Sequence, residues 1–134
     1  MAEPTMPETM AYGRAEDLPR VRAFAQHHGE ELGLTADQVM SLVIAVSELV
    51  TNTLQHTSGG GRVRIRADDG QVLCDVIDQG SIRAFGAPMP AADAERGRGL
   101  AIVERLCGPV EAIAGDEETI IRLRFAIEPR PVPR

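Results

Sequence analysis

The chain has no lysine and no tryptophan. All 14 of its basic residues are arginine, set against 20 acidic ones, for a formal net charge of -6. Without lysine there can be no Gly-x-x-x-x-Gly-Lys phosphate loop, whose lysine reaches the terminal phosphates. A net negative charge also argues against a general nucleic-acid binder, which needs a basic face. Cysteine is scarce: Cys74 and Cys107 make neither a disulfide framework nor, with the three histidines, a zinc pattern. They are expected to act as small buried hydrophobes. No apolar run is long enough to cross a bilayer, and the acidic, proline-containing N-terminus does not read as a secretion signal. A soluble, cytoplasmic protein is expected. Lysine avoidance beside abundant Ala, Gly and Arg points to a GC-rich bacterial genome.

At 134 residues the chain has the size of one domain, and roughly two-thirds of its unfolded surface can be buried at this length. Residues 1–8 are expected to be disordered, 9–127 to form the domain, and 128–134 to be a loose tail. Met10 to Arg14 reads as an edge strand. A first helix is expected from about Leu18 to Leu32, with Val21, Phe24, Ala25, His28 and Leu32 inward and Gly33 as its stop. Arg62 to Ala67 and Gln71 to Ile77 read as a hairpin around Asp68-Asp69-Gly70. Strands follow near Val110–Ala114 and Glu118–Ile127. The pattern implies an α+β fold: a two-layer α/β sandwich with a mixed, mainly antiparallel sheet and helices on one face.

The second helix carries the most information. Thr35-Ala36-Asp37-Gln38 fits a capping box at its start. Val39, Leu42, Val43, Val46, Leu49, Val50 and Thr53 recur at helical spacing as one buried face, and Met40 and Ile44 are expected to widen it. The remaining stripe holds Ser41, Ala45, Glu48, Asn52 and His56. Glu48 and Asn52 stand at i and i+4, roughly 6 Å apart between Cβ atoms. An amide oxygen suits a hard cation such as Mg²⁺, and a carboxylate beside it can orient or deprotonate a nucleophile. The stripe reads either as a solvated face or as the lining of a cavity.

Two later motifs bear on that choice. By strand alternation Asp78, in Val76-Ile77-Asp78-Gln79-Gly80, projects to the same side as Val72, Cys74 and Val76. It is either a strand-end Asp opening a turn or a core-side acceptor for a donor such as the amino group of adenine. Glu95-Arg96-Gly97-Arg98-Gly99 precedes an apolar helical run from Leu100. Glycines there let a phosphate approach free N–H groups at a helix start, or they make a plain hinge. Ser81 to Arg96 reads as a lid over the phosphates.

Taken in order, Glu48-x-x-x-Asn52, Asp78-x-Gly80 and Gly97-x-Gly99 resemble the N box and the two glycine boxes of the Bergerat-type (GHKL, histidine-kinase-like) ATPases. The short chain, with Glu-Leu-Val-Thr-Asn…His and Gly-Arg-Gly-Leu-Ala-Ile-Val, looks most like the RsbW/SpoIIAB class of anti-sigma factor serine kinases. The resemblance covers about Tyr12 to Phe125. It departs at Ile82, where the family often has a second glycine, and at Glu118, where glycine often precedes the Thr of the last strand. The resemblance implies ATP and Mg²⁺ as cofactors and Glu48 as the catalytic residue. It implies Asn52 as metal ligand, Asp78 and Thr119 at adenine, and His56, Gly80, Gly97, Arg98, Gly99 and Leu100 as further nucleotide contacts. It also implies the partners: an alternative sigma factor, an anti-anti-sigma (STAS) protein phosphorylated on serine, and a second copy in a homodimer, with no direct nucleic acid or membrane contact. Two rivals stand beside this reading. One is a non-catalytic module that uses ATP only to order its lid. The other is a detached histidine-kinase ATPase domain, disfavoured because no phospho-acceptor helix pair or membrane segment precedes it.

Overall fold

The computed structural model describes residues 6–56, 60–78, 94–108, 110–114 and 118–127, with the backbone alone described at 56 and 94–100. The chain runs β1 (Glu8–Tyr12), a single 3-10 turn (Ala15–Asp17), α1 (Leu18–Glu31), α2 (Ala36–His56), β2 (Gly61–Asp68), β3 (Gln71–Asp78), α3 (Ala94–Cys107), β4 (Glu111–Ala114) and β5 (Thr119–Ala126). The strands form one sheet in the order β1-β2-β3-β5-β4. All four described pairings are antiparallel, so the expected α+β sandwich has a sheet with no parallel member among them. The first strand starts at Glu8, inside the segment expected to be disordered, and residues 1–5 lie outside the described residues.

Local chemistry explains most of these boundaries. Pro19 sits in the first turn of α1, where its missing N–H costs nothing. Gly33 has φ of 101°, which only glycine adopts without strain, and it ends the helix. The capping box of α2 forms: the Thr35 N–H donates to Gln38 Oε1 at 2.9 Å, and the Gln38 N–H donates to Thr35 Oγ1 at 3.2 Å. Between β2 and β3, Asp69 and Gly70 have φ of 51° and 76°. These positive values make the two-residue hairpin loop whose twist matches the strands. That loop pins Asp68 opposite Gln71 and so fixes every pair down to Gly61 opposite Asp78.

The helices pack on one sheet face. Val21 and Ala25 of α1, Leu42, Val46, Leu49 and Val50 of α2, and Val103 of α3 join Val63, Ile65, Val72, Cys74, Val76, Ile121, Leu123 and Phe125 in one core. Both cysteines are free thiols, Cys74 buried and Cys107 half-buried, and burial pushes the Cys107 thiol up to about 11. Such a thiol is a packing group at neutral pH. Three expectations for the helices need correction. Met40 and Ile44 are exposed, and Ala45 is fully buried. The apolar face of α2 is therefore rotated toward Ala45, and two large hydrophobes lie outside it. The third helix starts at Ala94 and not at Leu100. Ala, Glu and Arg are strong helix formers, and Ala94-Glu95-Arg96 carries the helix back through both glycines at a cost of about 1 kcal/mol each.

Candidate functional site

One row of paired residues crosses the sheet at the C-terminal end of β3. Tyr12 pairs with Gly61, Gly61 with Asp78, Asp78 with Thr119, and Thr119 with Ala114. Directly paired residues share a sheet face, and alternation along β3 puts Asp78 on the helix side with Val72, Cys74 and Val76. Asp78, 7% exposed, is buried on the side where strand parity placed it, and its direct partner Thr119, 2% exposed, is buried with it. Gly61 explains how the row fits together. A Cβ there would lie 2.9 Å from Tyr12 Oη and would run into the Ile77 carbonyl. The bare backbone lets the phenol lean over β2 toward Asp78.

Tyr12 is a site residue that the sequence reading did not pick out. Burial, with the nearby Asp78 charge adding to it and Thr53 partly opposing, pushes its phenol up to about 12. Its Oη is closed off from solvent, and no partner meets it in hydrogen-bond geometry among the described residues. Thr53 is buried beside it, with its hydroxyl donating to the Leu49 carbonyl at 3.1 Å. Thr53 directly follows Asn52, so the second half of α2 lies above the sheet row. Glu48 and Asn52 are both half-buried, one turn apart on that half. The stripe is therefore neither fully solvated nor closed. His56 is the last residue of α2, and its side chain lies outside the described residues.

The remaining expected site residues are placed less fully. Gly80 and most of the expected lid, Ser81 to Arg96, lie outside the described residues, apart from the helical backbone from Ala94 on. Gly97, Arg98, Gly99 and Leu100 belong to the first two turns of α3, which corrects the expectation of a glycine loop before the helix. The hairpin register could have found Gly61 from the sequence, since the Asp69-Gly70 loop dictates its partner. Nothing local reveals that Tyr12 pairs with Gly61, because 49 positions separate them.

The opposite sheet face holds a second buried carboxylate. Asp75 accepts from Arg64 Nη2 at 2.8 Å and from Arg122 Nε and Nη2 at 2.8 and 3.1 Å. Burial alone would raise its pKa, but the two guanidinium groups outweigh that and hold the carboxyl below its ordinary value. The same pairing raises Arg122. Arg62 with Glu118 and Arg124 with Glu111 extend this network of ion pairs across the face. Asp75 is thus a structural acid.

The chain belongs to the family of histidine kinase-like ATPase domains, which matches residues 13–125. Membership implies an ATP-binding domain. Among solved structures, the chain is similar to one of the RsbU and RsbW domains of Rv1364c from Mycobacterium tuberculosis, at 24% identity and a TM-score of 0.65. That match covers 92% of this chain and 33% of the other, so the chain spans about a third of the length of that neighbour. It is also similar to the Acinetobacter baumannii histidine kinase AdeS, at 10% identity and a TM-score of 0.55, covering 91% of this chain and 68% of that one. At these identities the two structures show the shared fold. No curated protein matches the chain. Among the described residues no helix is long and apolar enough to cross a membrane.

Proposed function

We propose that the chain is an ATP-dependent protein serine kinase that works as an anti-sigma-type switch. It would transfer a phosphoryl group to a serine of an anti-anti-sigma (STAS) antagonist and, when released from that antagonist, hold an alternative sigma factor. The observation that supports this most is the buried Asp78–Thr119 pair on the helix face, with Tyr12 reaching Thr53 of α2, the residue that follows the half-buried Asn52. A deep acceptor at one end and a carboxylate with an amide at the other suit a base and a phosphate chain respectively. The RsbW domain in the neighbouring structure supports the choice of serine kinase over histidine kinase.

The donor set fits the cofactors the family implies. Asp78 would accept from the exocyclic amino group of adenine, with Thr119 beside it. Tyr12, whose buried hydroxyl meets no partner in hydrogen-bond geometry among the described residues, would be a further donor at that end. Asn52 would offer its amide oxygen to Mg²⁺, which takes oxygen ligands. Bound there, the metal would offset charge on the phosphates while ATP supplies the phosphoryl group. Gly97, Arg98, Gly99 and Leu100 would face the phosphates as helical turns. The two glycines would let the phosphates approach the helix backbone, and the charge of Arg98 would favour them. His56 and Gly80 would complete the expected contacts.

Phosphoryl transfer rests mainly on positioning and charge stabilisation. Glu48 would accept the proton of the serine hydroxyl as its oxygen bonds to the γ-phosphorus and the bond to the leaving diphosphate oxygen breaks. One turn of helix separates Glu48 from Asn52, so the base can serve the nucleophile without touching adenine. A general base contributes roughly 10²–10⁴-fold in rate. Glu48→Ala should therefore keep ATP affinity within a small factor and lose nearly all transfer. The test incubates γ-labelled ATP with wild type or variant and the proteins that co-purify with the wild type. If no partner is ever labelled by wild type, the kinase reading fails and a module that ATP merely orders takes its place. Equal labelling by both would leave a kinase whose base is another residue.

A further inference from the structure

We propose that His27, His28 and Glu31 form a binding site for a divalent transition-metal ion of the Zn²⁺ class, at the C-terminal end of α1 and separate from the nucleotide site. One donor atom from each residue can be chosen so that all three lie within 4.8 Å of one another. His27 Nε2 stands 3.3 Å from Glu31 Oε2, and His28 Nδ1 stands 3.9 Å from Glu31 Oε1. Two ligands about 2.1 Å from a tetrahedral ion are about 3.4 Å apart. The His27–Glu31 pair already has that spacing; the His28 contact is to the other Glu31 oxygen, and the three donors, all within 4.8 Å, close on one ion by side-chain rotation. The helix provides it directly, because residues three and four apart share a face.

Three features favour a cation here. The His28 ring is held edge-on by Phe24, with centroids 4.6 Å apart, and it meets the His27 ring at 4.9 Å. His28 is thereby half-buried and oriented, while His27 and Glu31 stay exposed and reachable. The last turn of a helix carries partial negative charge from its free carbonyls. The sequence from Ala23 to Asp37 also holds Glu30, Glu31 and Asp37 and no arginine, in a chain with 14 basic residues. Two imidazoles and one carboxylate select zinc, cobalt, nickel or copper over Mg²⁺ and Ca²⁺, which want all-oxygen sites. Three protein ligands leave a coordination position open to water or to a group from another molecule.

The experiment uses the untagged, metal-stripped full chain without nucleotide, titrated with Zn²⁺ by calorimetry in a millimolar Mg²⁺ background. Co²⁺ serves as the spectroscopic probe. The expected result is one tight ion per chain and the visible absorption of nitrogen-ligated Co²⁺. His27→Ala and Glu31→Gln, both at exposed positions, should each weaken Zn²⁺ by about tenfold or more. An ion that binds the folded chain alone also raises its melting temperature, so at the same Zn²⁺ concentration wild type should gain more than either variant. The proposal is overturned if wild type takes up no ion, if Mg²⁺ displaces it, or if either variant binds Zn²⁺ as tightly as wild type.

Discussion

Asp75 and Asp78 stand three residues apart on β3 with nearly the same burial, 1% and 7% exposed, yet they face opposite sides of the sheet. Asp75 is clamped by Arg64 and Arg122 on the face without helices. Asp78 sits on the helix face in a row with Gly61, Thr119 and, leaning over the glycine, Tyr12. Burial alone would rank the two acids together. What separates them is the neighbour: two guanidinium groups hold Asp75 in ion pairs, whereas the residues in register with Asp78 are Gly61 and the hydroxyl-bearing Thr119. A buried carboxylate set in register with a glycine and a hydroxyl is thus a candidate for recognition.

The strongest way to break this comparison is to remove the structural acid. Asp75→Ala leaves two partly buried guanidinium groups facing each other, and breaking a buried pair from one side costs about 3–5 kcal/mol. For a domain of this size that lowers the melting temperature by roughly ten degrees or more. ATP affinity of the protein that remains folded should hold. A variant that melts like wild type and loses ATP would reverse the roles of the two acids. The comparison also has a pH signature. The folded carboxyl of Asp75 is held below its ordinary value, so its stabilisation is complete above the unfolded pKa of about 3.9. It is lost as pH falls through the lower folded value. The urea-midpoint difference between wild type and Asp75→Asn should therefore stay constant from neutral pH to about 4 and shrink only below it.

Asp78→Asn comes next in size and should act on the ligand. The amide can turn a donor toward the adenine amino group, setting two donors face to face. A buried unpaired polar group costs roughly 1–3 kcal/mol, or about fivefold to more than a hundredfold in ATP affinity. Wild type should prefer ATP to GTP for the same reason, because guanine presents an oxygen where adenine presents an amino group. Calorimetry with both nucleotides checks this. Equal affinity for ATP and GTP in wild type would remove Asp78 from adenine recognition and leave it a buried strand-end acid.

Parts of this contrast were legible in the sequence. Strand alternation put Asp78 on the core side, and Asp69-Gly70 signalled the hairpin that fixes its register. Thr35 and Gln38 marked the start of α2, because a capping box lies within four residues. What could not be read depends on distant pairings. The partners of Asp75 lie 11 and 47 residues away, so it looked like any polar residue in an alternating strand. Tyr12 gained its place only through the pairing of β1 with β2. The start of α3 was misplaced for a local reason: two glycines suggested a loop, but Ala94-Glu95-Arg96 had the propensity to carry the helix through them. Ala45, Met40 and Ile44 were misjudged because a 21-residue helix has more apolar residues than one face can hold, and packing decides which are covered.

Tyr12 offers the smallest and most specific refinement. The chain has one tyrosine and no tryptophan, so the alkaline absorbance change of the phenol reports this residue alone. Its midpoint should lie at about 12, well above the ordinary value of about 10. Recording it by rapid mixing keeps the protein folded during the measurement. Because the folded pKa is raised, the neutral phenol's contribution is complete below about pH 10 and is lost as pH rises through the folded value. Burial is the main cause and the Asp78 charge a minor one, so Asp78→Asn should lower the midpoint slightly and Asp75→Asn, on the other face, should leave it in place. Tyr12→Phe removes a hydroxyl that meets no partner in hydrogen-bond geometry among the described residues, so stability should change by no more than about 1 kcal/mol. ATP affinity should fall several-fold if the hydroxyl donates to the base. A midpoint that follows Asp75 and ignores Asp78 would mean that the two faces of β3 are electrostatically joined, and the division of labour between its two aspartates would fail.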